Sequence, residues 1–548
     1  MSNAFLKINP TDNALVALTN LRAGETIINE GKSIVLLNDV PAKHKFAEKE
    51  LQINDEIIMY GITVAKATQV ILKGGVIGTH NIKHKSTPFS GKTKTYQWTP
   101  PDISRWKDKT FMGYHRNDSQ VGTANYWLIV PLVFCENRNV TMIKEAFEDG
   151  LGFGKRDPYK TYVSEMVQFY KDGKLDSIGE LSLKEGKQKN ESKIFKNIDG
   201  VKMLLHEGGC GGTRQDAETL CTLIAGYIHH PNVAGATVLS LGCQNAEIDI
   251  LQKKFNALDP ASTKPVFILD QQKSGTEQSL LTRAIQQTFL GLVEADKIER
   301  RPAPLSKLTI GLKCGGSDGF SGISANPAIG HTSDLLVALG GSTILSEFPE
   351  LCGVEQELIN RCVTNESAEL FINLMRTYSN EAEAAGSGFD MNPSPGNIKD
   401  GLITDAMKSA GAAKKGGTAS VADVLKYAEY IKKPGLNLLC TPGNDVESTT
   451  GTTGAGAQII LFTTGLGTPT GNPVSQVIKL STNNTLAEKM PDIIDFNTGS
   501  IISGEKTIDQ VGEEILDFVI EVASGRVVAK SVVLGQDDFI PWKRGVSL

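Results

Sequence analysis

From about residue 121 onward, unbroken apolar runs of strand length alternate with segments whose apolar residues recur at helical spacing. Such runs occupy 126–133, 201–205, 236–241, 266–269 and 308–312, with amphipathic stretches at 217–228 and 278–293. A strand that lacks polar alternation must be covered on both faces. The pattern therefore predicts an α/β body of mainly parallel sheet layered between helices. Beyond 330 the order continues with helices over 334–339, 366–383 and 510–523 and strands over 342–346, 436–440 and 458–463.

The amino-terminal stretch reads differently. Short apolar segments at 14–18, 33–37 and 57–64, separated by turn residues such as Ala23-Gly24-Glu25, predict a small β-rich domain over 1–85. Residues 86–120 have no clear periodicity and are rich in Lys, Thr, Ser and Pro, so they read as a linker. Trp98 and Trp106 are expected to dock on a domain surface. At roughly 150 residues per domain, the remainder divides into α/β domains over 121–300 and 301–548.

Charge narrows the function. Lys and Arg total 56 against 62 Asp and Glu, a net charge of −6. That lacks the basic footprint of a nucleic-acid binder. No apolar run approaches the ~20 residues that cross a bilayer, and the start MSNAFLKINPTDN has no signal-peptide pattern. The expectation is a cytoplasmic protein with no membrane or nucleic-acid partner, leaving a homo-oligomer open.

Glycine, at 55 of 548 residues, is enriched and clusters at the ends of apolar runs. Three of these loops also carry cysteine: HEGGCGG with Cys210, LGCQ with Cys243 and KCGGSDG with Cys314. Ligands of open α/β sheets bind beyond the carboxyl ends of strands, so three thiols at such ends can converge on one site. Thiolates suit iron, zinc or an iron–sulfur cluster, and three on one ion would lie within about 4 Å of one another. Buried thiols in tight packing are the alternative. Cys135, Cys221, Cys352, Cys362 and Cys440 fall in apolar or helical stretches and are expected to be buried and unliganded.

Further loops are rich in small polar residues: NPSPGN around Asn397, TPGND around Asn444 and TTGLGTPTG with Thr468 and Thr470. Their hydroxyls and backbone N–H groups suit an anionic or polyhydroxylated ligand, although ordinary turns use the same residues. Among the histidines, His44 and His80 lie in the amino-terminal domain, and His206 precedes Cys210 in one loop. Histidine is the usual acid or base at neutral pH. His229 and His230 end a helix and read as structural.

The stretches NALVALTNLRAGETI, VPAKHKFA, YGITVAKA, CGGSDGFSGISANPAIG, NPSPGN, PGLNLLCTPGND, FTTGLGTPTGNP and IDFNTGSIISGEKT together resemble the altronate/galactarate dehydratase family from residue 5 to the end. The resemblance implies a SAF-like amino-terminal domain on the α/β body. It also implies an iron-dependent sugar-acid dehydratase, making 2-keto-3-deoxygluconate from altronate in hexuronate breakdown. Three positions depart from the family pattern: Ala124 and Leu466 stand where Arg is frequent, and Gln244 where Glu follows the cysteine. Since Arg is the natural fork for a carboxylate, the departures bear on which sugar acid is bound.

Dehydration of a 2,3-dihydroxy acid removes the C2 proton and the C3 hydroxyl, and the enol becomes a 2-keto-3-deoxy acid. With this implied chemistry, Fe2+ (mononuclear, or a cluster) is assigned to Cys210, Cys243 and Cys314. His44, His80 and His206 are the acid/base candidates. Lys45 or Arg214 would hold the carboxylate, and Ser317, Asp318, Asn397, Asn444, Thr468 and Thr470 the rest of the substrate. The alternatives are galactarate or another 2-hydroxy acid as substrate of a related lyase, and a non-catalytic sugar-acid binding protein.

Overall fold

The computed structural model describes residues 4–153, 158–183 and 193–547. The apolar runs form two parallel sheets among the described residues. The smaller has the strand order Gly200–Met203, Tyr126–Pro131, Val233–Ser240, Val266–Asp270. Its two central strands are buried at every position. Alternate side chains serve opposite faces. Leu128 and Val130 pack with Leu220 and Ile224 of helix Arg214–His229 and with Leu251 of helix Ile248–Leu258. Trp127 and Ile129 pack with Val140 and Ile143 of helix Asn137–Leu151 and with Leu280 and Ala284 of helix Glu277–Ala295.

The larger sheet has seven parallel strands, in the order Val421–Leu425, Gly435–Leu439, Ser342–Leu345, Thr309–Cys314, Ile459–Thr464, Gln476–Ser481, Phe496–Asn497. Helices Ala325–Ala338 and Ile508–Ala523 lie together, with Thr332 Oγ1 donating to the Gly512 carbonyl at 2.9 Å. The predicted α/β body is therefore present as two separate parallel sheets.

Strands between Phe5 and His84 pair only with one another, all antiparallel. Two hairpins turn at Glu30-Gly31 and Tyr60-Gly61, where all four residues have φ between 49° and 79°. That conformation matches the twist of paired strands. At the second turn the Asp12 carboxylate accepts the N–H groups of Tyr60 and Gly61 at 3.0 and 2.8 Å.

The sequence leads one to expect few links between this unit and the body, but the structure shows a shared core. Val64, Met59 and Ile82 belong to one apolar cluster with Met407, Ala410 and Phe348 of the C-terminal domain. Lys43 reaches out of the small domain to Asp318 at 3.0 Å and Asp400 at 3.1 Å. Its backbone is gripped as well: a Cβ at Gly319 or Gly401 would stand 2.6 or 2.4 Å from the Lys43 carbonyl oxygen, so both positions require glycine.

The segment read as a linker is a strap. Trp98 Nε1 donates to Thr418 Oγ1 at 3.1 Å, and Trp106, 2% exposed, donates to Asp517 Oδ1 at 2.9 Å. Residues Thr110–His115 then form a strand between Val121–Gly122 and Arg300–Pro304, tying the second domain to the third.

The Asp318 side chain is fully buried and Lys43 is its cation. Removing one partner of a buried pair typically costs about 3–5 kcal/mol. Lys43→Ala should lower the free energy of urea unfolding by about 3 kcal/mol. A loss below about 1 kcal/mol, the value of an exposed pair, would show that the pair does not fasten the small domain.

Candidate functional site

The strand order of the larger sheet reverses between Thr309–Cys314 and Ile459–Thr464, the position at which open α/β sheets bind ligands. Two of the predicted loops meet there. Gly465 and Leu466 N–H groups both donate to the Gly316 carbonyl at 3.0 Å, and Gly316 has φ +56°. Asp318 accepts Thr482 Oγ1 at 3.0 Å and the Phe320 N–H at 3.2 Å, besides its pair with Lys43. Asn397 donates to the Ser317 carbonyl at 2.7 Å, and Ser317 Oγ is buried without a hydrogen-bond partner among the described residues. Lys45 is fully buried and donates to the Lys43 and Gly401 carbonyls at 2.9 and 2.5 Å; burial brings its amine down to about 7 against the pull of Asp318. Thr468 is half-buried, Thr470 buried and Leu466 exposed.

Behind this edge lies a buried charge cluster. Lys313 pairs with Glu347 and with Asp445 at 3.0 Å, Lys415 with Glu347 at 2.8 Å, and Lys408 with Glu350 at 2.8 Å. Burial alone would raise the Glu350 carboxyl, but Lys408, Lys415 and Lys313 outweigh it and hold the group at about 2. Glu347 adopts φ +70°, a left-handed conformation that a non-glycine residue keeps only where its surroundings enforce it.

Cys314 sits inside this cluster, 3.2 Å from Glu350 Oε2 and 2.7 Å from Lys415 Nζ. Its ligand atom does lie within 4.8 Å of those of Glu347 and Glu350. The group does not fit a divalent cation, however. Three ammonium groups already neutralise its carboxylates, and burial pushes the thiol up to about 12. A second set within 4.8 Å, His84, Cys352 and Asp405, holds a thiol that burial likewise raises.

The other two predicted thiols are elsewhere. Cys210 and Cys243 are exposed and stand on loops that follow strands Gly200–Met203 and Val233–Ser240 of the smaller sheet. These loops touch: the Ala246 N–H donates to the Gly209 carbonyl at 3.0 Å. Among the described residues no group of ligand atoms within 4.8 Å unites Cys210, Cys243 and Cys314. The expected trio is separated because strand ends of two different sheets contribute to it.

Cys210 opens onto a cavity of about 640 Å³ between the second and third domains. His206, Glu207 and Asp216 line it from one side, Glu447, Trp542 and Lys543 from the other. Burial raises the Glu447 carboxyl above its ordinary value. Asp216 is engaged by the Arg544 and Gly545 N–H groups at 3.0 and 2.9 Å, which seats the wall 539–545. His206 is 5% exposed, and both of its ring nitrogens bond to backbone, Nε2 to the Pro131 carbonyl at 2.7 Å and Nδ1 to the Gly208 N–H at 3.1 Å. Burial lowers it to about 4, so the neutral ring pins the loop that carries Cys210.

The remaining expectations divide. Asn444 is exposed and caps helix Asp445–Gly454, the element that carries Glu447. Arg214 is exposed at the start of its helix and is absent from the cavity lining; Lys543 is the cation there. His44 is half-buried with Nδ1 3.2 Å from the Ala42 carbonyl, and His80 is exposed in a turn; neither lines this cavity. Where Ala124 lacks an Arg side chain, Arg116 supplies a guanidinium, donating to the Ala124 carbonyl at 3.3 Å and to Asn125 Oδ1 at 2.9 Å. Gln244 folds back, accepting the Gly242 N–H at 2.7 Å. Sequence reasoning missed Lys43, Glu447, Lys543 and Cys135. Cys135, expected to be buried, is exposed just beyond strand Tyr126–Pro131.

The chain matches three family models in succession. They are the altronate/galactarate dehydratase SAF domain over residues 3–85, the D-galactarate dehydratase/altronate hydrolase second domain over 113–296, and the D-galactarate/altronate dehydratase C-terminal domain over 305–547. Altronate dehydratase of Bacillus subtilis is 35% identical over 96% of this chain and 96% of its own. Altronate dehydratase of Escherichia coli is 32% identical over 95% of each chain, and the L-threo-forming galactarate dehydratase of the same species 29% identical over 95% of this chain and 93% of its own. The SAF domain, the two α/β domains and this full-length similarity together place the chain in the altronate/galactarate dehydratase family.

Proposed function

We propose that the chain is an iron-dependent hydro-lyase that dehydrates altronate to 2-keto-3-deoxygluconate in hexuronate catabolism, working in the cavity beside Cys210. The observation that carries the reading is that cavity. Its volume of about 640 Å³ suits a six-carbon acid, and it brings together a raised carboxyl, a cation and an exposed thiol. The two relatives named altronate dehydratase support the choice of substrate. All eight cysteines are free thiols, the state that a reducing cytoplasm maintains.

The chemistry asked of the protein is removal of a weakly acidic C2 proton and departure of the C3 hydroxyl. Lys543 is the group in the cavity that pairs with the substrate carboxylate, and the first turn of helix Arg214–His229 adds its positive end. Glu447 takes the C2 proton: its burial raises its basicity above that of an exposed carboxylate, which favours it as a general base. As the C2 electrons form the double bond, the C3–O bond breaks, and the proton that Glu447 took from C2 ends on the departing hydroxyl, which leaves as water. Cys210, which lines the cavity, and Cys243 on the adjoining loop would hold iron, which would supply Lewis-acid help to the leaving hydroxyl. The facing walls, Phe539–Lys543 on one side and 205–210 on the other, flank the bound acid.

Two measurements test this. With anaerobically iron-loaded protein, altronate should be preferred over galactarate by at least about a hundredfold in kcat/KM, since a site built to hydrogen-bond hydroxyls rejects mismatched ones strongly. Equal turnover of galactarate would overturn the substrate, and no 2-keto-3-deoxy product from either acid would overturn the reaction.

Glu447→Gln should lower kcat by roughly 10²–10⁴, the usual contribution of a general base. In the native enzyme kcat/KM should fall on acidification, through a pKa above the ordinary carboxylate range, because the base must be unprotonated to act. An acid limb unchanged in Glu447→Gln would place the base elsewhere.

A further inference from the structure

We propose that Cys135, Cys210 and Cys243 together hold an iron–sulfur cluster at the carboxyl edge of the four-stranded sheet, with one metal position left free. The use of that free position for dehydration rests on the function proposed above; the ligand set stands on the structure alone.

These three cysteines are the exposed ones, while Cys221, Cys314, Cys362 and Cys440 are buried and Cys352 is half-buried. Cysteine is among the most buried residue types, so three exposed thiols in one domain call for a reason. They follow three adjacent strands in the order Gly200–Met203, Tyr126–Pro131, Val233–Ser240, each at the carboxyl end. The three loops are bonded into one surface. The Phe134 N–H donates to the Gly208 carbonyl at 3.1 Å, the Ala246 N–H to the Gly209 carbonyl at 3.0 Å, and Asn137 Nδ2 to the His206 carbonyl at 2.9 Å. Gly209 makes the approach feasible: at φ +95°, a Cβ there would stand 2.4 Å from the Leu132 carbonyl oxygen.

Each thiol also stands just ahead of a helix of 11 to 16 residues, namely Asn137–Leu151, Arg214–His229 and Ile248–Leu258. Three positive helix ends favour an anionic group among them. A single ion would require the sulfurs to crowd together. Among the described residues they form no ligand group within 4.8 Å, and a cluster, whose thiolates bind different irons, does not ask for that crowding. Thiolates are the ligands of such clusters, and three of them leave one iron without a protein ligand. On binding, each thiol gives up its proton and no change of oxidation state is required of the protein.

The test uses the full chain reconstituted anaerobically with ferrous and ferric iron and sulfide. Iron and acid-labile sulfide are counted, and the visible absorption and Mössbauer spectra recorded. The expected result is iron and sulfide bound together, with Cys135, Cys210 and Cys243 alkylated in the apoprotein and protected after reconstitution. Cys135→Ser, Cys210→Ser and Cys243→Ser should each weaken iron retention by at least about tenfold, since even an outer-shell partner is worth roughly 10–100-fold. Cys314→Ser should keep the full complement; should it fail to fold, Cys362→Ser is the control. Iron bound without sulfide, full iron in Cys135→Ser, or equal alkylation before and after reconstitution would overturn the proposal. A protein that carries the cluster but leaves altronate unchanged would overturn the function and leave this inference standing.

Discussion

Much of the architecture depends on a set of largely buried charges. Lys313 ends one strand of the larger sheet, Glu347 follows a second and Asp445 lies beyond a third, and Lys408 and Lys415 come from the helix and turn packed above them. Isolated, any one of these groups would be expelled from an apolar interior. Together they stay ionised, and each removes conformational freedom from the others. Such a cluster is weak as a source of net stability but strong as a constraint on register, because moving one strand end would strand a buried charge. It also explains why the loop 314–319 can be built almost entirely of small residues: its path is set by the ions beneath it.

The small domain is attached by the same logic at a second place. Its sheets are its own, yet its apolar face and Lys43 are completed only by the C-terminal domain. The strap that follows it presses two tryptophans onto that domain before the chain enters the second. The cavity beside Cys210 is therefore walled by residues far apart in sequence, such as His206, Glu447 and Lys543, whose positions relative to one another are set by packing between domains.

The layered α/β body was legible because fully buried parallel strands leave unbroken apolar runs, as at 126–133 and 458–463. Assignment of strand ends to sheets was not. A cysteine after an apolar run announces the end of a strand, but nothing local states which sheet that strand joins, so Cys314 was grouped with Cys210 and Cys243. Cys135 was hidden because the apolar run continues through Phe134 into the one-turn helix Phe134–Glu136, giving the residue the look of an interior one. Glu447 and Lys543 carry no local signal; only the meeting of two domains makes them neighbours. The strand Gln476–Ser481 was also missed, since Lys479 interrupts its apolar pattern and is nonetheless buried.

The exposure of Cys135, Cys210 and Cys243 has a consequence in redox terms. A cysteine facing solvent is the first that oxidants reach and carry from sulfenic toward sulfinic acid, whereas a sheltered one reacts slowly. The positions best suited to a soft metal are thus the ones that oxygen reaches first. Damage by air would begin at the carboxyl edge of the smaller sheet and spare both cores, giving a protein that remains folded after its rim chemistry is gone.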